Sequence, residues 1–164
     1  MDSSVSPYCV RELTLLSTAA AYLLGTLLCR RLLARHGLKR TVAIAGLLSA
    51  SGGLLMLLAA ALGWHSVAAL LPPFYLFMLG HGIHQPCGQS GAVGPFPQAA
   101  GVASALNGFM MMLAAFAIGR WLGGALDGTV WPLVQGVALW SLLLAAIAWT
   151  LVQRHAPQES AHAP

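Results

Sequence analysis

The chain has 164 residues, of which 58% are apolar and 7% charged, and its mean hydropathy is +0.76. Soluble domains carry about 25% charged residues, and the 79 residues between Arg40 and Arg120 include no Asp, Glu, Lys or Arg, so a water-facing globule is excluded and a lipid bilayer is the fitting solvent. The net charge of +4 does not point to nucleic acid, because five of the eight basic residues fall within positions 30–40, a loop-sized cluster rather than a basic stripe.

A helix crossing hydrocarbon needs about 20 apolar residues, since all its backbone polar groups must be satisfied internally. Five segments meet that demand, predicting an all-α membrane bundle at 13–152, with an N-terminal tail at 1–12 and a cytoplasmic tail at 153–164. The first span, 13–29, is read as retained. Arg11 ahead of it is offset by Glu12 and no small-x-small cleavage site follows. The bulky Leu28 before Cys29 also rules out a lipoprotein site.

Next comes a basic loop with Arg30, Arg31, Arg35, Lys39 and Arg40, which the positive-inside rule places in the cytoplasm. The second span, 42–63, carries the small residues Gly46, Ser49, Gly53 and Ala60, which let helices pack closely in lipid. The third, 67–85, is bracketed by Pro72, Pro73 and Pro86, where lost N–H donors favour helix ends. A cytoplasmic loop at 88–100 leads to the fourth span, 101–119, softened by Gly108. The connection 120–130 is external, with Arg120 balanced by Asp127, and the fifth span, 131–152, returns the chain to a cytoplasmic tail bearing Arg154. Six of the eight basic residues then lie inside and the N-terminus lies outside. Trp64, Trp121 and Trp131 mark span edges, as amphipathic rings do at the membrane interface.

Reactive residues are few. His81, His84 and Cys87 stand at i, i+3 and i+6 with Gln85 and Gln89 nearby, but no Asp or Glu lies within thirty residues. A structural metal site needs a fourth ligand, so neither metal nor cofactor is assigned and these groups are expected to line the cytoplasmic mouth of a cavity or to be hydrogen-bonded within the bundle. Cys9, Cys29 and Cys87 are too few and scattered for a disulfide framework. There is no nucleophile elbow, phosphate-binding glycine loop or His-Glu-x-x-His, and Ser90 and Ser104 have no carboxylate to orient a histidine. The chain is not expected to be an enzyme.

The most specific stretch begins at Gly80-His81-Gly82 and Pro86. It continues through Pro95-Phe96-Pro97-Gln98-Ala99-Ala100-Gly101-Val102-Ala103-Ser104-Ala105-Leu106-Asn107-Gly108-Phe109. This resembles the tenth helix, following loop and eleventh helix of major facilitator transporters, particularly the bicyclomycin-resistance (Bcr/CflA) drug-efflux family. The segment from Gly25 to Arg40, with Arg30-Arg31, Arg35-His36-Gly37 and Lys39-Arg40, is similar to the basic loop between helices eight and nine. The acid of the fuller loop motif is absent and Cys29 stands in its neighbourhood, so membrane anchoring is expected there rather than charge relay.

Over residues 15–153 the resemblance implies helices eight to twelve of a twelve-helix fold in a bacterial inner membrane, with Ser6-Pro7-Tyr8 as a remnant of helix seven. It also implies a piece of a proton-coupled exporter of amphipathic drugs, truncated and inactive alone, whose coupling carboxylate lies outside this chain. Partners would be the bilayer, protons, a drug-like substrate, and a missing N-terminal half or a second copy. Substrate-cavity candidates are Tyr22, His84, Gln85, Asn107, Met110 and Met111, because such sites lie near the midplane between halves and methionines adapt to varied apolar ligands. The competing expectation is a non-transporting membrane scaffold or regulator that binds partners through its small-residue faces.

Overall fold

A computed structural model describes residues 7–155; the expectations for positions 1–6 and 156–164 lie outside the described residues. Its elements are α1 (Pro7–Ala61), α2 (Val67–Val93), a short 3-10 turn (Pro97–Ala99), α3 (Ala100–Ala125), α4 (Trp131–Trp149) and α5 (Leu151–His155). No strand occurs among the described residues. Among the described residues, four helical stretches are long and apolar enough to cross a membrane: Arg11–Ala61, Val67–Val93, Pro97–Ala125 and Trp131–Arg154.

The first of these cannot be one straight rod. The 55 residues of α1, which contains it, would reach about 80 Å at 1.5 Å per residue, against a hydrocarbon core of about 30 Å. Gly37 divides it, with φ 70° and ψ 177° inside an otherwise helical run, a region open essentially to glycine alone. The two arms, 7–36 and 38–61, fold back on each other, as their contacts with α2 establish. The first arm runs parallel to α2: Ser17 Oγ lies 2.7 Å from Tyr75 Oη and Cys29 Sγ 3.5 Å from Cys87 Sγ, both pairs 58 positions apart. The second arm runs antiparallel to α2, with Gly80 against Ser49 and Ala45, and Gly52 against Pro73 and Phe77.

The basic segment 30–40, expected as a loop, is therefore two helix ends meeting at Gly37. One glycine suffices for the reversal, and lysine and arginine are good helix formers, so nothing else in the segment stops the helix. Past the break, the buried Thr41 hydroxyl donates to the Gly37 carbonyl at 2.7 Å. The third span also differs from expectation: α2 continues through Pro86 to Val93, with Pro72, Pro73 and Pro86 all inside it. Proline is tolerated within membrane helices because neighbouring helices and local adjustments satisfy the carbonyls it frees. At its start, Ser66 Oγ accepts from the Ala69 N–H at 3.3 Å, the usual N-cap interaction. The fourth span is longer than 101–119, since α3 runs from Ala100 to Ala125.

α4 lies antiparallel to the second arm. Gly53 faces Ser141 and Ala138, while Gly46 faces Ala145 and Ala148. Trp149 Nε1 donates to the Ala43 carbonyl at 3.1 Å, and Gln153 Nε2 to the Lys39 carbonyl at 3.0 Å. These pairings gather Arg30, Arg31, Arg35, Lys39, Arg40 and Arg154 at one end of the bundle, with the 63–66 and 126–130 connections at the other.

Two apolar clusters hold the arms, α2 and α4 together. Nearer the basic end are Cys29, Val42, Ala45, Ile83, Cys87 and Ala148; towards the other are Met56, Ala60 and Val134, flanked by Leu70, Phe74 and Trp131. The alanine and glycine content fits a lipid-phase bundle, whose helices associate through close van der Waals packing rather than expulsion of water. α3 is different, because it buries no residue. Phe109, Met112 and Phe116 are 63–70% exposed, which lipid accommodates as readily as protein.

Candidate functional site

The polar groups of the bundle collect along the middle of α2. Glycines set this up, since they let backbones touch and leave side chains room only beside the contact. A Cβ on Gly25 would collide with the Leu79 carbonyl oxygen, and one on Gly82 with that of Tyr22. On either side of this approach, α2 presents aromatic and imidazole rings in sequence. Phe74 stacks on Phe77 with ring centroids 6.0 Å apart, and Phe77 on His81 at 6.1 Å and 10°. Tyr22 of the first arm meets the His81 ring at 5.9 Å.

One turn further on, His84 Nε2 is buried without a hydrogen-bond partner, and so is Ser49 Oγ on the second arm. Unpartnered buried polar atoms are costly, and in a membrane bundle they are where water, protons or ligands are expected. Two imidazoles three positions apart, among groups that offer no carboxylate, can accept, hold and pass a proton. A cavity of about 720 Å³ adjoins this region between the second arm, α2 and α4, walled by His84, Cys87, Gly88, Gly91, Val42 and Leu144 among others. A larger hollow of about 920 Å³ is lined by residues 116–125 of α3 alone; it is an open groove that gathers no polar cluster.

The structure brings together Tyr22 and His81, and puts His84 on the cavity wall with Pro95. It does not bring α3 to them. Asn107 donates from Nδ2 to Met111 Sδ at 3.7 Å one turn along its own helix, and Met110 is exposed. Gln85 is half-buried on α2 beside His84. Of the motif residues, Gly25 acts in helix contact and Gly37 in the reversal. Pro95, Phe96 and Pro97 form the α2–α3 connection, and Gly101, Ala103, Ser104 and Gly108 lie on α3, where added Cβ atoms at Gly101 and Gly108 would meet open space. The described residues include no group of three His, Cys, Asp or Glu able to hold a metal ion.

The sequence marks Ser49 only as a small packing residue and Cys29 and Cys87 only as scattered thiols, and it does not single out Ser17 and Tyr75. The shared separation of 58 was available in the chain, but it becomes a signal only once two helices are known to run parallel. No family model, curated protein or solved structure matches the chain.

Proposed function

We propose that this chain works in transmembrane transport, as part of the C-terminal half of a major facilitator-type, proton-coupled exporter of amphipathic compounds. The observation that carries the reading is the seam of Tyr22, His81, His84 and unpartnered Ser49 within a largely apolar bundle. Such groups are disfavoured in lipid unless a pathway uses them. The resemblance of residues 80–109 and 25–40 to the drug-efflux family supports the same reading. In this account protons move through the imidazole seam, the coupling carboxylate belongs to an opposing bundle, and the two halves rock about a central site. The basic end faces the cytoplasm of a bacterial inner membrane.

The test is aqueous access. In a chain with its native cysteines replaced, single cysteines at Tyr22, Phe77, His81 and His84 should react with a membrane-impermeant thiol reagent, whereas cysteines at Leu47 and Leu143 should not. Uniform silence along the seam would sink the transport reading. Expressed alone, the chain is expected not to confer drug efflux; robust proton-dependent efflux would show that no opposing half is required.

A second reading is favoured by α3, which buries nothing and carries a mid-helix Asn107. In it the chain is a scaffold that recruits other membrane helices. A silent seam together with stable co-purification of a membrane partner that is lost in Asn107→Leu would select it.

A further inference from the structure

We infer that Cys29 and Cys87 form an oxidisable dithiol that closes to a disulfide, with a lipid-borne quinone received in the adjoining cavity as the electron acceptor. The inference stands on thiol and cavity geometry and is independent of the transport reading.

Both thiols are free and buried, and their Sγ atoms lie 3.5 Å apart on two different helical segments. A disulfide needs about 2.05 Å between sulfurs and backbones close enough for the Cβ atoms to approach. That closeness is already imposed one turn away, where Gly25 and Gly82 leave no space for a Cβ. The same register holds from Ser17–Tyr75 to Cys29–Cys87, so closure requires side-chain rotation and a small approach rather than sliding of one helix past the other.

Burial decides the kind of oxidant. Cys29 is 1% and Cys87 4% exposed, which shields the pair from large water-borne agents. The cavity of about 720 Å³ has Cys87 and His84 on its wall and is otherwise lined mainly by Val42, Leu144 and Ile147. Its size lies within the range of small-molecule sites, about 300–1,000 Å³. Two of its lining residues, Ile147 and Leu151, are exposed, so in a bilayer the mouth opens sideways to acyl chains. An apolar two-electron acceptor dissolved in lipid fits that setting.

The chemistry balances without any other reactant. The Cys87 sulfur adds to a quinone ring carbon, forming a carbon–sulfur bond, as its thiol proton passes to a ring oxygen. The Cys29 sulfur then attacks the Cys87 sulfur; the sulfur–sulfur bond forms and the carbon–sulfur bond breaks. The released electron pair stays with the ring, which takes the second proton and leaves as hydroquinone. Two thiols and one quinone become one disulfide and one hydroquinone. The product ties the first arm of α1 to α2.

The experiment uses the full chain in liposomes with Cys9→Ser, exposed to decylubiquinone, and follows quinone absorbance and intact mass. Expected are one quinone reduced per chain and a product lighter by two hydrogens, with both signals lost in Cys29→Ala and in Cys87→Ala. Gly88 lines the cavity and a Cβ there meets nothing within 4 Å, so Gly88→Leu fills the cavity without disturbing a helix contact. It should slow the quinone reaction about tenfold while leaving oxidation by the small reagent diamide unchanged. Helix content by circular dichroism confirms that each variant is folded. Failure of diamide and quinone alike to form the intramolecular disulfide would overturn the dithiol. An unchanged quinone rate in Gly88→Leu, with diamide still effective, would overturn the quinone site.

Discussion

Gly37 carries the largest burden of any single residue, because the reversal of α1 rests on a backbone conformation that a Cβ disfavours. Gly37→Ala is expected to cost about 1–3 kcal/mol, read as a lowered unfolding midpoint in detergent. Gly63→Ala, at φ 79° in a connection with open space around it, should cost no more than this. Glycines with a different task should fail differently. Gly82→Val would drive a side chain into the Tyr22 carbonyl, and should separate the first arm from α2 and abolish Cys29–Cys87 cross-linking by diamide.

At the opposite end, Asp127 shapes the α3–α4 connection. Its Oδ1 accepts from the Thr129 hydroxyl at 2.6 Å and from the Thr129 N–H at 2.9 Å. The hydroxyl bond first, and the backbone bond second, hold its carboxyl below the ordinary value of 3.8. A depressed folded-state pKa contributes stability that is full above the unfolded value and is lost as pH falls through the folded one. The Thr129 amide should therefore lose exchange protection only below about pH 4, and in Asp127→Asn that pH dependence should vanish. Persistence of the same acid transition in the variant would place its origin elsewhere.

Among the elements, the apolar segments were legible because membrane helices announce themselves through length and hydropathy. Their ends were less so. Pro86 reads as a stop in water-based reasoning, yet α2 runs seven residues beyond it, because helix neighbours rather than solvent complete its hydrogen bonds. The 30–40 segment reads as a loop because it is charged, whereas charge there marks where helix ends leave the hydrocarbon and does not oppose helix. Tyr22 and His84 were legible as polar exceptions in apolar spans. Their partners were not, since Ser49 and Cys29 look like ordinary small helix residues until the parallel and antiparallel registers bring them to α2. Ser49→Ala should be neutral or mildly stabilising, because the hydroxyl is buried with no partner and its removal relieves a desolvation cost of about 1–3 kcal/mol. Marked destabilisation in thermal unfolding would mean that an ordered water or ligand satisfies it.

For the whole molecule, the account depends on how often the chain crosses the bilayer. Among the described residues four stretches qualify by length and apolarity, and the fold-back at Gly37 makes two membrane-length arms of the first. Only then do six of the eight basic residues share one end, and only then does α2 lie between both arms with its polar seam along the contact. Sidedness labelling of single cysteines in sealed, oriented membrane vesicles tests this most directly. Cysteines at Arg11, Trp64 and Asp127 should react from one side, and those at His36, Phe96 and Arg154 from the other. Reaction of positions 11 and 64 from opposite sides would mean that α1 crosses once, and would contradict the hairpin on which the seam and the dithiol both depend.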